Sequence, residues 1–264
     1  MSLPIFVVDA FSSEPFHGNQ AGVVLDHGTE AWMQEVAAEM RHAETAFVRA
    51  RDDGGYDLRW FSPEVEIDLC GHATLASAHV LFETGRETPG STVTFHTRSG
   101  ELRAVDAGER GITLDFPVAV PVPVPAIPEL FDALGLPVGE ILATDGQFFL
   151  IPVENAAIVR GLTPDFAQLR ALTDVRGVYV SAPGDKGYDI VSRCFGPKVG
   201  IDEDSVTGSM HCVLIAYWGP LLGKTELHAF QASARGGEMT VVRKDDRALF
   251  TGRATTVLTG ELRA

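Results

Sequence analysis

The chain has 264 residues, 45% of them hydrophobic and 22% charged, which excludes a disordered chain and supplies core material for one to two domains. Twenty-one Lys and Arg stand against 36 Asp and Glu, and a net charge of −15 lacks the basic footprint of a nucleic-acid binder. Three cysteines, Cys70, Cys194 and Cys212, are too few and too irregularly spaced for a disulfide framework or a zinc ribbon.

The N-terminal Met1-Ser2-Leu3-Pro4-Ile5 has no basic region and no long apolar stretch, so no signal peptide is expected. The most apolar run, Cys212 to Leu222, is broken by Gly219 and Pro220 and is too short to span a bilayer. The expectation is a reduced, cytoplasmic protein that binds neither membrane nor nucleic acid. Short β-rich runs recur at 5–8, 22–25, 46–48, 56–61, 92–97, 111–116, 147–153, 178–181, 189–195, 239–242 and 249–252, each bounded by turn residues. Four helices interrupt them. Residues 29–41 carry Trp32, Val36, Ala37 and Met40 at helical spacing with Thr29 as cap, and residues 163–172 resemble them. Residues 73–83 and 208–219 are apolar nearly all round, as buried helices are. The expected fold is α+β, with each of two lobes a mostly antiparallel barrel or curled sheet wrapped on a central helix.

Residues 117–128 alternate apolar residues with prolines, which reads as an extended connector and the domain boundary. The expected lobes are 1–116, completed by a last strand at about 253–264, and 117–252. An internal duplication supports them. Arg59-Trp60-Phe61-Ser62-Pro63-Glu64-Val65-Glu66-Ile67-Asp68 matches the segment from Arg193 to Asp202 at six of ten positions, with an offset of 134. Both segments run through a polar, glycine-containing turn into an apolar helix. The cleft of such a pair is the expected ligand site, and a helix N-terminus in each turn suits a carboxylate.

Gly18-Asn19, Ala43-Glu44-Thr45, Gly71-His72-Ala73-Thr74, Glu203-Asp204-Ser205-Val206-Thr207-Gly208-Ser209, and Gln231-Ala232-Ser233 with Arg235-Gly236-Gly237 resemble the signature of the PhzF-like phenazine-biosynthesis family across nearly the whole chain. That resemblance implies the diaminopimelate-epimerase-like fold, a homodimer, and an isomerase needing neither cofactor nor metal. It implies Glu44 as the acid/base group, with His72 and Asp204 as its polar partners. Gly71, Gly208 and Ser209 are implied as carboxylate-binding positions and Asn19 as a substrate-side residue. A glutamate can take a proton from carbon and return it elsewhere when burial raises its pKa. Gln20, Ala73 and Ser205 stand where the family often has proline, and Ala43 where it often has serine. These departures bear on substrate choice more than on reaction type.

Cys70 directly precedes Gly71-His72, a placement that resembles one thiol of the catalytic pair in proline racemases and diaminopimelate epimerases. The opposite turn carries Ser205, a poor substitute for a thiolate. Cys70 is read as a small residue filling the turn, with a cysteine-assisted racemase and a non-catalytic binding protein as the alternative functions. His79 and His211 are read as core histidines, and Arg59 and Arg193 as structural.

Overall fold

The short β-rich runs and the two apolar helical runs become, in the computed structural model, two units, Met1–Phe116 with Leu249–Ala264 and Pro117–Ala248. The structure describes residues 2–144 and 147–263. Among the described residues no helix is long and apolar enough to cross a membrane.

The first unit begins with β1 (Ser2–Ala10), β2 (Asn19–Val24), α1 (Glu30–Met40), β3 (Glu44–Ala50), β4 (Tyr56–Phe61), β5 (Glu66–Ile67), α2 (Gly71–Glu83), β6 (Thr92–Thr97), β7 (Gly100–Asp106) and β8 (Ile112–Pro117). Strand β1 pairs antiparallel with β2, β2 parallel with β3, and β3 antiparallel with β4. Strand β4 pairs parallel with β6 and also carries the short β5, and β6, β7 and β8 follow as an antiparallel meander.

The second unit continues with β9 (Val122–Pro123), α3 (Pro128–Leu134), β10 (Leu142–Ala143), β11 (Phe148–Pro152), α4 (Ala156–Gly161), α5 (Phe166–Ala171), β12 (Gly177–Pro183), β13 (Ile190–Gly196), β14 (Ile201–Asp204), α6 (Gly208–Leu222), β15 (Glu226–Gln231) and β16 (Gly237–Lys244). Its pairing repeats that of the first. Strand β11 is parallel to β12, and β12 antiparallel to β13. Strand β13 carries the short β14 and runs parallel to β15, which pairs antiparallel with β16.

Strand β17 (Arg247–Gly252) pairs with β8, and β18 (Ala254–Arg263) pairs with β1. One residue separates β17 from β18, so the strands of the first unit close into a ring. Helix α2 packs on β1, β2, β3, β7 and β18, which come from around that ring, so it lies inside. Its buried face runs almost unbroken from His72 to Leu81, which accounts for its lack of a polar side. Helix α1 lies outside. Met33, Val36 and Ala37 pack on Val24, Phe47 and Phe61, with Phe47 and Phe61 edge-to-face at 5.6 Å. In the second unit Val178, Val180 and Ala182 of β12 face an outer core shared with α3, α4 and α5. On the other face of β12, Ser181 accepts a hydrogen bond from the α6 indole of Trp218.

The repeat extends to side chains. Arg59 makes a two-point ion pair with Glu66 while lying 5.1 Å from the centre of the Phe61 ring. Arg193 does the same with Glu203 over Phe195. In register terms Phe61 faces Glu66, and Phe195 faces Glu203. A bulge and a 3-10 turn at Pro197–Val199 insert three residues, so the offset of 134 holds for Arg193 and Phe195 but becomes 137 beyond them, and the sequence matches at Ile201 and Asp202 are not structurally equivalent positions.

Three local expectations differ from what is observed. The helix expected at 163–172 starts only at Phe166, because Asp165 caps it by accepting from the Gln168 amide. The extended connector 117–128 ends where Pro128 opens α3, proline being suited to a first helical position. Helices α3 and α4, at Pro128–Leu134 and Ala156–Gly161, are additional to the four expected helices and too short to show a period. Two glycines are required by geometry. Gly18 (φ +70°) turns the chain into Asn19, and a Cβ there would lie 2.1 Å from the Ala10 carbonyl oxygen. Gly111 (φ +101°) lets β8 approach Gly252, whose carbonyl oxygen would lie 2.1 Å from a Cβ.

Candidate active site

The expected site residues fall into two groups, one in each unit. In the first unit, parallel strands β2 and β3 start side by side, with Ala21 opposite Glu44. Asn19 is the first residue of β2, Glu44 the first of β3, and Gly71 the first of α2, which packs on both strands. Parallel pairing therefore brings three chain starts to one corner. Glu44 Oε2 lies 3.2 Å from His72 Nε2. The other ring nitrogen, Nδ1, lies 3.2 Å from Asn19 Nδ2 and 3.5 Å from Cys70 Sγ. Backbone from Gln20 also hydrogen-bonds the ring. Burial holds the His72 pKa down at about 4, so the imidazole is neutral over the physiological range. Neutral, it can take up or give a proton beside Glu44.

In the second unit β14 ends at Asp204, and α6 opens at Gly208 with Thr207 before it. The Thr207 hydroxyl donates to Asp204 Oδ2 at 2.5 Å. Gln231, fully buried at the end of β15, ties the turn together. Its Oε1 accepts from the Thr207 amide at 2.7 Å, and its Nε2 donates to the Asp204 carbonyl at 2.7 Å and reaches Thr207 Oγ1 at 3.2 Å. The Ser233 hydroxyl holds the Ser205 carbonyl at 2.8 Å. A cavity of about 370 Å³ opens on this turn, lined by Asp204, Thr207, Ser209, Cys194, Tyr179 and Phe148 among others. Burial, with Asp204 beside it, pushes the Cys194 thiol well above its ordinary range, so it is an inert wall residue.

The helices differ in capping. Thr29, Asn155 and Asp165 cap α1, α4 and α5 through their side chains. Neither Cys70 nor Thr207 caps its helix in this way. The first-turn amides of α2 and α6, around Gly71 and around Gly208 and Ser209, are thus left without an N-cap side chain. By position at the helix start, Thr207 is the counterpart of Cys70.

His211 is buried as expected, with Nδ1 2.8 Å from the Thr207 carbonyl and a pKa lowered by burial to about 4. His79 is only partly buried and reaches Thr256 Oγ1 at 3.2 Å. Gln231 and Thr207 stand within the sequence motifs, and their role in holding the Asp204 turn appears only in the fold. Gln231 had a signal, since it falls on the buried face that Leu227 and Ala229 occupy. Phe148 and Tyr179 had none, because strand aromatics are ordinary core residues.

The family described as phenazine biosynthesis-like protein matches residues 8–260. An uncharacterized isomerase of Halalkalibacterium halodurans is 44% identical over 267 residues, covering 99% of each chain. The crystal structure of a PhzF-family phenazine biosynthesis protein from Enterococcus faecalis superposes with a TM-score of 0.94 at 42% identity, covering 100% of both chains. A hydroxyproline epimerase from Agrobacterium vitis shares the fold alone, with a TM-score of 0.63 at 12% identity over 99% of this chain and 92% of its own. The chain has the diaminopimelate-epimerase-like fold. It belongs to the PhzF-like, phenazine biosynthesis-like protein family.

Proposed function

We infer that the protein is an isomerase that relocates a proton within a small, carboxylate-bearing metabolite, without metal or cofactor. The observation that carries this reading is the Glu44 carboxylate set 3.2 Å from a buried, neutral His72 imidazole at the start of α2. A carboxylate beside a neutral imidazole can accept a proton from carbon and pass it on, each group being restored at the end of the cycle. Glu44 takes the proton, His72 is the adjacent acid/base group of the relay, and Asn19 contacts its ring at Nδ1. First-turn amides at Gly71, and at Gly208 and Ser209, suit a carboxylate without any Arg or Lys. In the second unit Asp204, held in place by Thr207 and Gln231, is a further carboxylate suited to proton transfer. The isomerase naming of the Halalkalibacterium relative supports the same class of reaction.

The test is solvent-hydrogen exchange. Small carboxylates are incubated with the protein in deuterated water and read by mass spectrometry. Deuterium uptake that is abolished in Glu44→Gln supports the reading, and full uptake by that variant overturns it. A second reading, a cysteine-assisted racemase, is favoured by the 3.5 Å approach of Cys70 to His72. Against it, the helix start of the second unit carries Thr207 and no second thiol. Loss of exchange in Cys70→Ser with retention in Glu44→Gln would select it. Tight binding of a metabolite with no exchange would make the protein a binding protein instead.

A further inference from the structure

Glu44 comes from β3 and Cys70 and His72 from the start of α2, yet one donor atom of each lies within 4.8 Å of the other two. Two separations are short: Cys70 Sγ to His72 Nδ1 at 3.5 Å, and Glu44 Oε2 to His72 Nε2 at 3.2 Å. The second is not a hydrogen bond. His72 Nε2 is buried and has no hydrogen-bond partner, although a carboxylate oxygen stands within reach. A buried imidazole nitrogen without a hydrogen-bond partner, 3.2 Å from a carboxylate oxygen, has the spacing at which both atoms can ligate one ion. A tetrahedral ion with bonds of about 2.0–2.3 Å to O, N and S sets its ligand atoms about 3.4–3.6 Å apart. The 3.2 Å oxygen–nitrogen separation is close to that edge.

We propose that Glu44, Cys70 and His72 form a binding site for one borderline-soft divalent cation of the Zn²⁺ class, with a fourth position open. The donor set decides the class. A thiolate and an imidazole are poor ligands for Mg²⁺ or Ca²⁺ and good ones for Zn²⁺ or Co²⁺. Thiolate plus carboxylate balance the ion's two charges. Coordination through Nε2 leaves the proton on Nδ1, where the ring hydrogen-bonds the Gln20 backbone, and metal-bound imidazoles keep their second nitrogen hydrogen-bonded in this way. Closing the site asks Cys70 to move by about 1 Å, within the reach of a thiol rotation. Binding releases the Cys70 proton to solvent. The ion takes the groups assigned above to proton transfer, so it inhibits; that consequence rests on the isomerase reading, whereas the binding does not.

The experiment titrates reduced, chelator-stripped protein with CoCl₂ and reads absorbance. Uptake of one Co²⁺ per chain with a thiolate-to-cobalt charge-transfer band, displaced by ZnCl₂, is expected. The band disappears in Cys70→Ser and persists in Cys212→Ala, and Co²⁺ affinity falls at least about tenfold in Glu44→Gln. Thermal melts of each variant separate lost ligands from lost fold. No saturable uptake by the unaltered protein, or a band that survives in Cys70→Ser, overturns the proposal. Exchange measured on the stripped protein tests the isomerase reading separately.

Discussion

Glu44 Oε2 lies 3.2 Å from His72 Nε2, although the two are 28 positions apart in the chain. Their approach is a product of strand order. Glu44 opens β3, His72 sits in the first turn of α2, and α2 packs on the start of that strand. His72→Asn keeps a polar, neutral side chain and removes the relay. It is expected to lower solvent-hydrogen exchange by about 10²–10⁴-fold while leaving the melting temperature within a few degrees. Deuterium uptake and a thermal melt on the same sample check this.

Acid sensitivity follows from His211. Burial lowers its pKa from 6.5 to about 4, so the folded protein refuses a proton that the unfolded chain accepts. Stability is fully present above about pH 6.5 and falls as the pH drops towards 4, by up to about 3 kcal/mol. Urea unfolding at pH 7 and pH 4.5 measures the loss. His211→Gln, which keeps a donor towards the Thr207 carbonyl, should remove about half of the dependence, the rest being carried by the equally buried His72.

Gln231→Met replaces a fully buried amide with an apolar chain of similar length. The Thr207 amide and the Asp204 carbonyl lose their partner. A cost of about 2–4 kcal/mol is expected, read as a lower urea midpoint at unchanged slope. Asp204 is also less firmly placed, so substrate affinity should weaken with it.

Arg193 joins Glu203 at two points and the Leu162 carbonyl at 2.7 Å, with only 12% of its side chain exposed. Arg193→Met leaves a mostly buried carboxylate unpaired and should cost about 3–5 kcal/mol. Arg49, 56% exposed beside Asp57, is the contrast, and Arg49→Met should cost under about 1 kcal/mol. Paired chemical denaturation of the two variants decides between them.

Glycine substitutions should split in sign. Gly111→Ala places a Cβ against the Gly252 carbonyl at positive φ and should cost at least about 2 kcal/mol. At Gly161, the last residue of α4, a Cβ meets nothing within 4 Å. Gly161→Ala should stabilise by about 0.4–1 kcal/mol, and thermal melts distinguish the two directions.

Much of the fold was legible. The apolar helices announced themselves as inner helices because a helix inside a ring of strands has no solvent face. Thr29 marked the start of α1 by its capping chemistry. Strand β7 was harder, since few of its residues are buried and it shows no clean apolar alternation, whereas the last strand, expected at about 253–264, is β18. Helices α3 and α4 span seven and six residues, about two turns or fewer, and no period can be read from so short a run.

The residue types of the site and the duplicated plan that carries them were determined by the sequence alone, because pattern and motif are properties of the linear chain. Which atoms meet was decided by tertiary structure. Parallel pairing of β2 with β3 around α2 sets Glu44, His72, Cys70 and Asn19 at one corner. With the three-residue insertion at Pro197–Val199 the offset is 137, which makes Thr207 the counterpart of Cys70. Burial, which depends on every strand of the ring, turns His72 from an ordinary histidine into a neutral one. Distance and desolvation arise only when remote segments pack, and it is they that make chemistry out of these residue types.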